Sequence, residues 1–396
     1  MQLFISVVLL ILLAYGGSLL RHRKRGASWL NHLFGTGFVF CIVGVLLGPA
    51  GSGVISTGML EELTPFVIFS LGWVGFLVGM QADLALLRQV PRRYLGFTLA
   101  ESGLTIGAVT TMSVWIFRPL DVSGGVWVLL SLLTGACAGV SSQAIPAMAT
   151  GRIDKEETLF LRVVTGLDDF PTMILVLVLF AYAGPARAIH DFWSGAFWLL
   201  ITVFLGLCFG LVFYILLRPR AKFDETLAIC IGVTILSAGA AAYLHLAVPA
   251  IGFFAGFFVA NAPLPKKQTF YNVLTIVERP IVFLLFLVAG TYLRMEEPWW
   301  LIPLAAYVAV RGVVKVWVGG ILARWFRPNS NKARTIGWGL IAPGPLSVAI
   351  ALDYYCVQRG PNAEILLWIV IAGAVIGELM VPIAMRRLSI QNDRPV

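Results

Sequence analysis

Thirteen times along this chain the sequence runs apolar for 16 to 28 residues, and that recurrence constrains the fold more than any motif in it. A helix needs about 20 apolar residues to cross the hydrocarbon core of a bilayer. Within lipid every backbone polar group must be satisfied inside its own segment, so such stretches predict helices. The predicted fold class is therefore an all-α polytopic membrane protein with thirteen transmembrane helices. The spans run roughly 2–20, 30–49, 62–82, 94–117, 124–150, 159–183, 190–217, 224–246, 247–262, 275–293, 298–323, 334–356 and 363–385. The least marked boundary separates the eighth from the ninth, where LHLAVPAIG offers only His245 and Pro249 as punctuation. Residues 2–20 turn basic only afterwards, at RHRKR (21–25), whereas a cleavable signal carries its charge first; they read as a retained span.

Charge supports the count. The net charge of +9 would suit a nucleic-acid partner only if it were clustered. With the N-terminus outside, 22 of the 29 Lys and Arg residues fall on predicted cytoplasmic segments. Four (Arg118, Arg187, Arg294, Arg359) lie in outside loops, and Arg279, Arg311 and Lys315 lie within spans. One miscounted span would scramble this bias, so the basic balance reports topology, with the C-terminus cytoplasmic in a cell membrane and no nucleic acid implied. The five cysteines show no C-x-x-C and the four histidines no ligand spacing, so neither a zinc site nor a disulfide framework is expected.

The sequence also repeats itself. Span three reads TPFVIF then FLVGMQADL, and span ten reads RPIVFL then FLVAGTYLR, with Pro65 and Pro280 following Glu62 and Glu278. Span two, GFVFCIVGVLLGP, is echoed by span nine, GFFAGFFVANAP. Both pairs are seven spans apart; an odd offset inverts one copy in the membrane, as in inverted-repeat transporters. The same offset pairs span five, AGVSSQAIPAMA, with span twelve, GLIAPGPLSVAIAL. Ser141, Ser142, Gln143 and Pro146 stand at membrane depth in the first, and Pro343, Gly344 and Pro345 in the second. Proline removes a backbone donor, so these two helices are expected to break and expose half-helix ends near the midplane. A plain proline kink is the alternative for each.

Against this apolar background, VVTGLDDFPTMILVLV (163–178) places Asp168 and Asp169 deep in span six. A charge at that depth costs at least about 2.5–3.5 kcal/mol, and such residues usually mark an ion or proton path. Lys315 and Arg311 lie four residues apart on one face of span eleven, with Glu101 in span four and Glu378 in span thirteen. Buried charges in membranes pair, so Lys315 and one of the aspartates are natural partners. Arg311 and Glu101 fit fixed salt bridges holding helices together as well as a transport role. Glu278 and Arg279 sit near an interface, where they can snorkel. Two adjacent carboxylates suit a cation carrier: repulsion and burial disfavour a bare double charge, and an ammonium, a proton or a metal ion relieves it. Ser141, Ser142 and the Gln143 amide would complete an oxygen shell for a hard alkali cation.

These motifs resemble the monovalent cation:proton antiporter superfamily, closest to its prokaryotic sodium/proton and potassium/proton exchangers, over nearly the whole chain. GVLLGP (44–49) resembles that family's GxxxGP, and FLVGMQADLALLR (76–88) its FxxGLExDLxxLR. SSQA (141–144) resembles SSTA, AIGFFAGFFVAN (250–261) resembles GAFxAGxxxAN, and LFLVAG (285–290) resembles FFxxxG. The Asp pair is the most specific match. The resemblance implies Asp169 as the main carboxylate binding the alkali cation or the proton, and Asp168 as partner of Lys315. Lys315 falls where electrogenic members carry a lysine. It also implies alternating access, with a core bundle (spans about 94–183 and 298–385) moving against a scaffold (about 2–82 and 224–293) that dimerises, and 190–217 linking them. Two departures touch the site: Pro343-Gly344-Pro345 stands where relatives show Arg-Gly-acid, and Gln143 replaces a threonine. The chain ends soon after its last span, so the soluble nucleotide-binding domain of some potassium-efflux relatives is not expected.

The function expected is electrogenic exchange of a monovalent cation, sodium first, for protons, without a cofactor and without enzymatic chemistry. Potassium/proton exchange, a sodium-coupled organic-solute symporter and a gated channel are the alternatives. An intramembrane aspartyl protease is disfavoured, because G-x-G-D is incomplete at Gly166-Leu167-Asp168-Asp169 and Asp353 lies near the outer end of its span.

Overall fold

A computed structural model describes residues 37–118, 126–149, 153–183, 192–217, 223–264, 267–294, 297–328, 330 and 333–389. Its regular elements are helices. In chain order these are α1 (Phe38–Leu47), α2 (Thr57–Glu62), α3 (Thr64–Met80), α4 (Leu84–Leu87), α5 (Arg92–Phe117), α6 (Val126–Gly139), α7 (Ala144–Ala149), α8 (Lys155–Leu167) and α9 (Asp169–Ala183). There follow α10 (Phe192–Leu217), α11 (Phe223–Tyr243), α12 (Val248–Asn261), α13 (Lys267–Tyr292), α14 (Leu301–Val313), α15 (Gly319–Phe326), α16 (Pro345–Val357), α17 (Pro361–Leu379) and α18 (Val381–Ser389). Eight helical stretches are long and apolar enough to cross a membrane, and α1, α3, α12 and α16 are shorter apolar helices. All twelve coincide with predicted spans; the remaining one, 2–20, lies outside the described residues. The boundary between spans eight and nine falls where expected. His245 adopts a left-handed conformation (φ 52°), and α12 restarts with Pro249 in its first turn.

The chain divides into two compact units. The first comprises residues 1–84, 180–294 and 352–359. Lipid tails are as apolar as leucine, so helices associate through close backbone approach at small residues. In α3 and α12 this is carried by glycines facing carbonyls: a Cβ on Gly75 or Gly79 would collide with the carbonyls of Pro249 or Phe253. One on Gly252 or Gly256 would collide with those of Gly72 or Phe76. The same chemistry joins α1 to α13, where Gly44 meets the Leu287 carbonyl and Gly290 meets that of Cys41. An offset of seven spans exchanges these two helix pairs, so the packing is consistent with the inverted repeat. Gly252→Ala is expected to destabilise by about 1–3 kcal/mol, the usual cost of overpacking. Gly232→Ala, with nothing within 4 Å, is expected to be neutral. Thermal unfolding of the two purified variants checks this, and equal midpoints would refute the close packing.

The second unit comprises residues 85–179, 295–351 and 360–396. An apolar core including Phe97, Phe160, Val164, Val316, Leu340 and Val381 packs its helices together. Five of its spans are interrupted, span thirteen at Met380, between α17 and α18. Between α6 and α7 the chain unwinds at Val140–Gln143, and before α16 a 3₁₀ turn (Ile336–Leu340) gives way to an unwound Ile341–Gly344. Both expected breaks are thus present; Pro343 lies within the second, whereas Pro146 and Pro345 follow the unwound residues. Pro146 and Pro345 stand in the first turns of α7 and α16, where a missing N–H costs nothing. Span six is interrupted at Asp168, between α8 and α9. Pro171, in the first turn of α9, has no N–H to offer the Leu167 carbonyl four residues back. In span eleven a π-helical turn, Val314–Val318, joins α14 to α15.

Candidate functional site

The two unwound segments meet within the second unit. The Ser142 N–H donates to the Ala342 carbonyl at 2.8 Å. A Cβ on Gly344 would lie 2.9 Å from Val140 Cγ1 and 3.2 Å from the Ser141 carbonyl oxygen, so only glycine admits this crossing without displacement. Ser142 Oγ accepts from the Ala144 N–H (3.1 Å) and opens α7, and Ser347 Oγ donates to the Gly344 carbonyl (2.7 Å). The Gln143 side chain, assigned from the sequence to the oxygen shell, is exposed.

Ending α6 at mid-span leaves its last carbonyls without helical partners and concentrates negative partial charge there. Two cations from span eleven meet it. Arg311 Nε donates to the Ala138 carbonyl (3.1 Å), Nη2 to that of Val140 (2.9 Å) and Nη1 to that of Ile341 on the other unwound segment. Lys315 Nζ donates to the Gly139 carbonyl (2.7 Å), to Ser141 Oγ (3.0 Å) and to Glu101 Oε2 (3.0 Å). The guanidinium fork ties the two broken segments together, and the ammonium fills the gap between its contacts. The π turn contains Lys315, the kind of local irregularity that recurs at functional positions.

An ammonium has three N–H donors, and all three are occupied. Asp168 Oδ2, 3.7 Å from Lys315 Nζ, is therefore held by charge rather than by a direct hydrogen bond from it. The predicted pairing of Lys315 with an aspartate is present, yet the nearer carboxylate is Glu101, whose Oε1 accepts from Thr105 Oγ1 (3.0 Å). Of the fixed salt bridges expected of Glu101 and Arg311, Glu101 forms one, with Lys315, whereas Arg311 serves backbone carbonyls, which carry no sequence signal. Glu101, Asp168 and Lys315 are completely buried. Asp169 retains 7% exposure, and its Oδ1 accepts no hydrogen bond among the described residues. Glu378, buried on α17, lies within electrostatic range of Arg311. Four buried carboxylates thus face two buried cations. The sequence named all six, but it did not reveal the carbonyl acceptors or Thr105.

Among the described residues no group of three or more His, Cys, Asp or Glu side chains is placed to hold a metal ion. What the arrangement can do is accept positive charge reversibly, because its carboxylates outnumber its cations and Asp168 and Asp169 both present oxygens that accept no hydrogen bond among the described residues.

Comparison with known proteins agrees with this picture. The family model described as sodium/hydrogen exchanger, transmembrane, matches residues 8–383. No curated protein matches the sequence. Among solved structures, the sodium proton antiporter MjNhaP1 from Methanocaldococcus jannaschii, determined at pH 8, aligns with a TM-score of 0.66 at 14% identity. The alignment covers 98% of both chains, so the fold is shared throughout. With the family model spanning nearly its whole length, the chain belongs to the sodium/hydrogen exchanger family, whose members are multi-pass membrane transporters that exchange a cation for protons.

Proposed function

We propose that this protein exchanges sodium for protons electrogenically, with Asp169 as the carboxylate for which the two ions compete. The observation that carries the reading is the excess of buried carboxylates over buried cations, with a free Asp169 oxygen. A proton or an alkali cation at Asp169 relieves the repulsion from Asp168, and each expels the other because both neutralise the same charge. Asp168 is the tuned neighbour, held by Lys315 through charge alone. Ser141, already bound to Lys315, still has a hydroxyl proton to direct, and Ser142 and Gln143 stand beside it on the unwound segment. Arg311 keeps the broken ends neutralised throughout the cycle. In this reading the spans of the second unit form the moving core of an alternating-access carrier. The protein works as a homodimer in the cell membrane, with its C-terminus cytoplasmic.

The test is the reversal potential in proteoliposomes with sodium, potassium and lithium in turn. Coupled, charge-moving exchange with sodium supports the reading. Preference for potassium would reassign the cation, and passive flux without coupling would make the protein a channel. Competition also fixes a pH dependence. While Asp169 holds its proton, each unit rise in pH should lower the apparent sodium KM about tenfold, and the KM becomes flat once the proton is gone. A KM independent of pH while the maximal rate changes would refute competition at one carboxylate.

A further inference from the structure

The helices that carry the buried charges meet a second charged cluster at one end of the same unit. Arg327 closes span eleven: Pro328 follows it, and its N–H caps the Ala323 carbonyl at 2.8 Å. Its Nη1 donates to Glu157 Oε2 (2.6 Å) and its Nη2 to Glu156 Oε1 (2.7 Å). Ser330 Oγ donates to the other Glu157 oxygen (2.6 Å). The guanidinium carbon lies 4.6 Å from the centre of the Phe160 ring and 5.9 Å from that of Tyr94, and those two rings pack edge-to-face at 4.8 Å. Arg327 and Glu157 are both more than nine-tenths buried. Burial works against the charge of Arg327, but the bonds from Glu157 and Glu156 outweigh it and hold its pKa above the ordinary arginine value.

One cation therefore grips α5 through Tyr94, the start of α8 through Glu156, Glu157 and Phe160, and the end of α15. These helices, farther in, present Glu101, Asp168 and Lys315. Glu157 and Asp168 are eleven residues apart, three turns along one helical face and about 16 Å in rise. Tyr94 and Glu101 are seven apart, two turns on one face of α5. At the inner level no hydrogen bond from Lys315 fixes Asp168, so the 3.7 Å separation depends on where α8 sits along its axis.

We propose that Arg327 and Glu157 are positioning residues: their clamp sets the axial register of α8 and thereby the distance of Asp168, and with it Asp169, from Lys315. Short charge-assisted bonds at a helix end define position well, whereas the bare ion pair does not. The consequence for transport rests on the proposed role of the Asp pair; the placement of α8 does not.

The experiment uses the full-length protein with Glu157→Gln, which preserves shape and removes the charge. Amide hydrogen exchange should quicken both at 154–161 and at 163–172, and the apparent sodium KM should rise about tenfold with little change in maximal rate, as misplacement of a binding group predicts. Arg327→Lys, with one ammonium in place of the fork, should give an intermediate effect. Ser330→Ala, which keeps the ion pair, should move both readouts in the same direction by less. It serves as the test if Glu157→Gln does not fold. Faster amide exchange confined to 154–161, with 163–172 and KM at wild-type values, would overturn the proposal. If wild-type vesicles do not couple sodium to protons, the functional reading fails, and amide exchange at 163–172 still decides the clamp.

Discussion

Asp169→Asn is expected to abolish sodium-driven proton movement in proteoliposomes while leaving the protein folded. Asparagine keeps the volume of the side chain and its place at the start of α9, but it takes up neither a proton nor the charge of an alkali cation. Loss of a dedicated charged group of this kind costs at least about a hundredfold in rate. Stability should move the other way. Asp169 repels Asp168 next to it and has an oxygen without a hydrogen-bond donor, so neutralising it removes an unfavourable charge from a buried cluster. The unfolding midpoint in detergent should hold or rise. That pairing of outcomes separates a carrier residue from a structural one, whose loss lowers activity and midpoint together. Sodium-driven flux at the wild-type rate would sink the assignment.

The spans were legible because lipid demands long apolar helices, and a chain meeting that demand declares it in length alone. The offset of seven was legible because both members of each related pair answer the same packing problem, glycine against carbonyl, at Gly75 and Gly290 or Gly44 and Gly252. The breaks were located only approximately. Proline marks where a helix can begin as readily as where it must end, so Pro146 and Pro345 lie just inside the new helices, while Pro343 and Gly344 lie among the unwound residues themselves. The interruption at Asp168 had a signal in Pro171, four residues beyond the carbonyl it orphans. The π turn at Val314–Val318 had none, since Val-Lys-Val-Trp-Val suits an ordinary helix as well. The partners of Arg311 were hidden for a deeper reason. Pairing rules count side chains, whereas the acceptors that Arg311 meets at the crossing are backbone carbonyls, left without helical partners by the break after α6. Once those carbonyls take Arg311 and one of the three Lys315 donors, Ser141 and Glu101 take the other two, and Lys315 holds Asp168 by charge alone.

Lys315→Ala should consequently do more than weaken one ion pair. It removes the donor to the Gly139 carbonyl, Ser141 and Glu101 at once, and leaves Glu101 and Asp168 buried without their cation. Removing one partner of a buried ion pair costs about 3–5 kcal/mol. Arg311 still holds Ala138, Val140 and Ile341, so the crossing of the unwound segments persists and the variant should insert and purify with a clearly lowered unfolding midpoint. Without the ammonium the carboxylates release protons less readily, and exchange should require a more alkaline pH. Adding Glu101→Gln separates the causes. It removes one stranded charge while an amide oxygen can still accept from Thr105, so the double variant should recover part of the midpoint, whereas independent sites would simply add their losses. Recovery of stability without recovery of the pH profile would assign Glu101 to holding Lys315 and Asp168 to tuning the proton. An unchanged midpoint and an unchanged pH profile in Lys315→Ala would show that the ammonium governs neither.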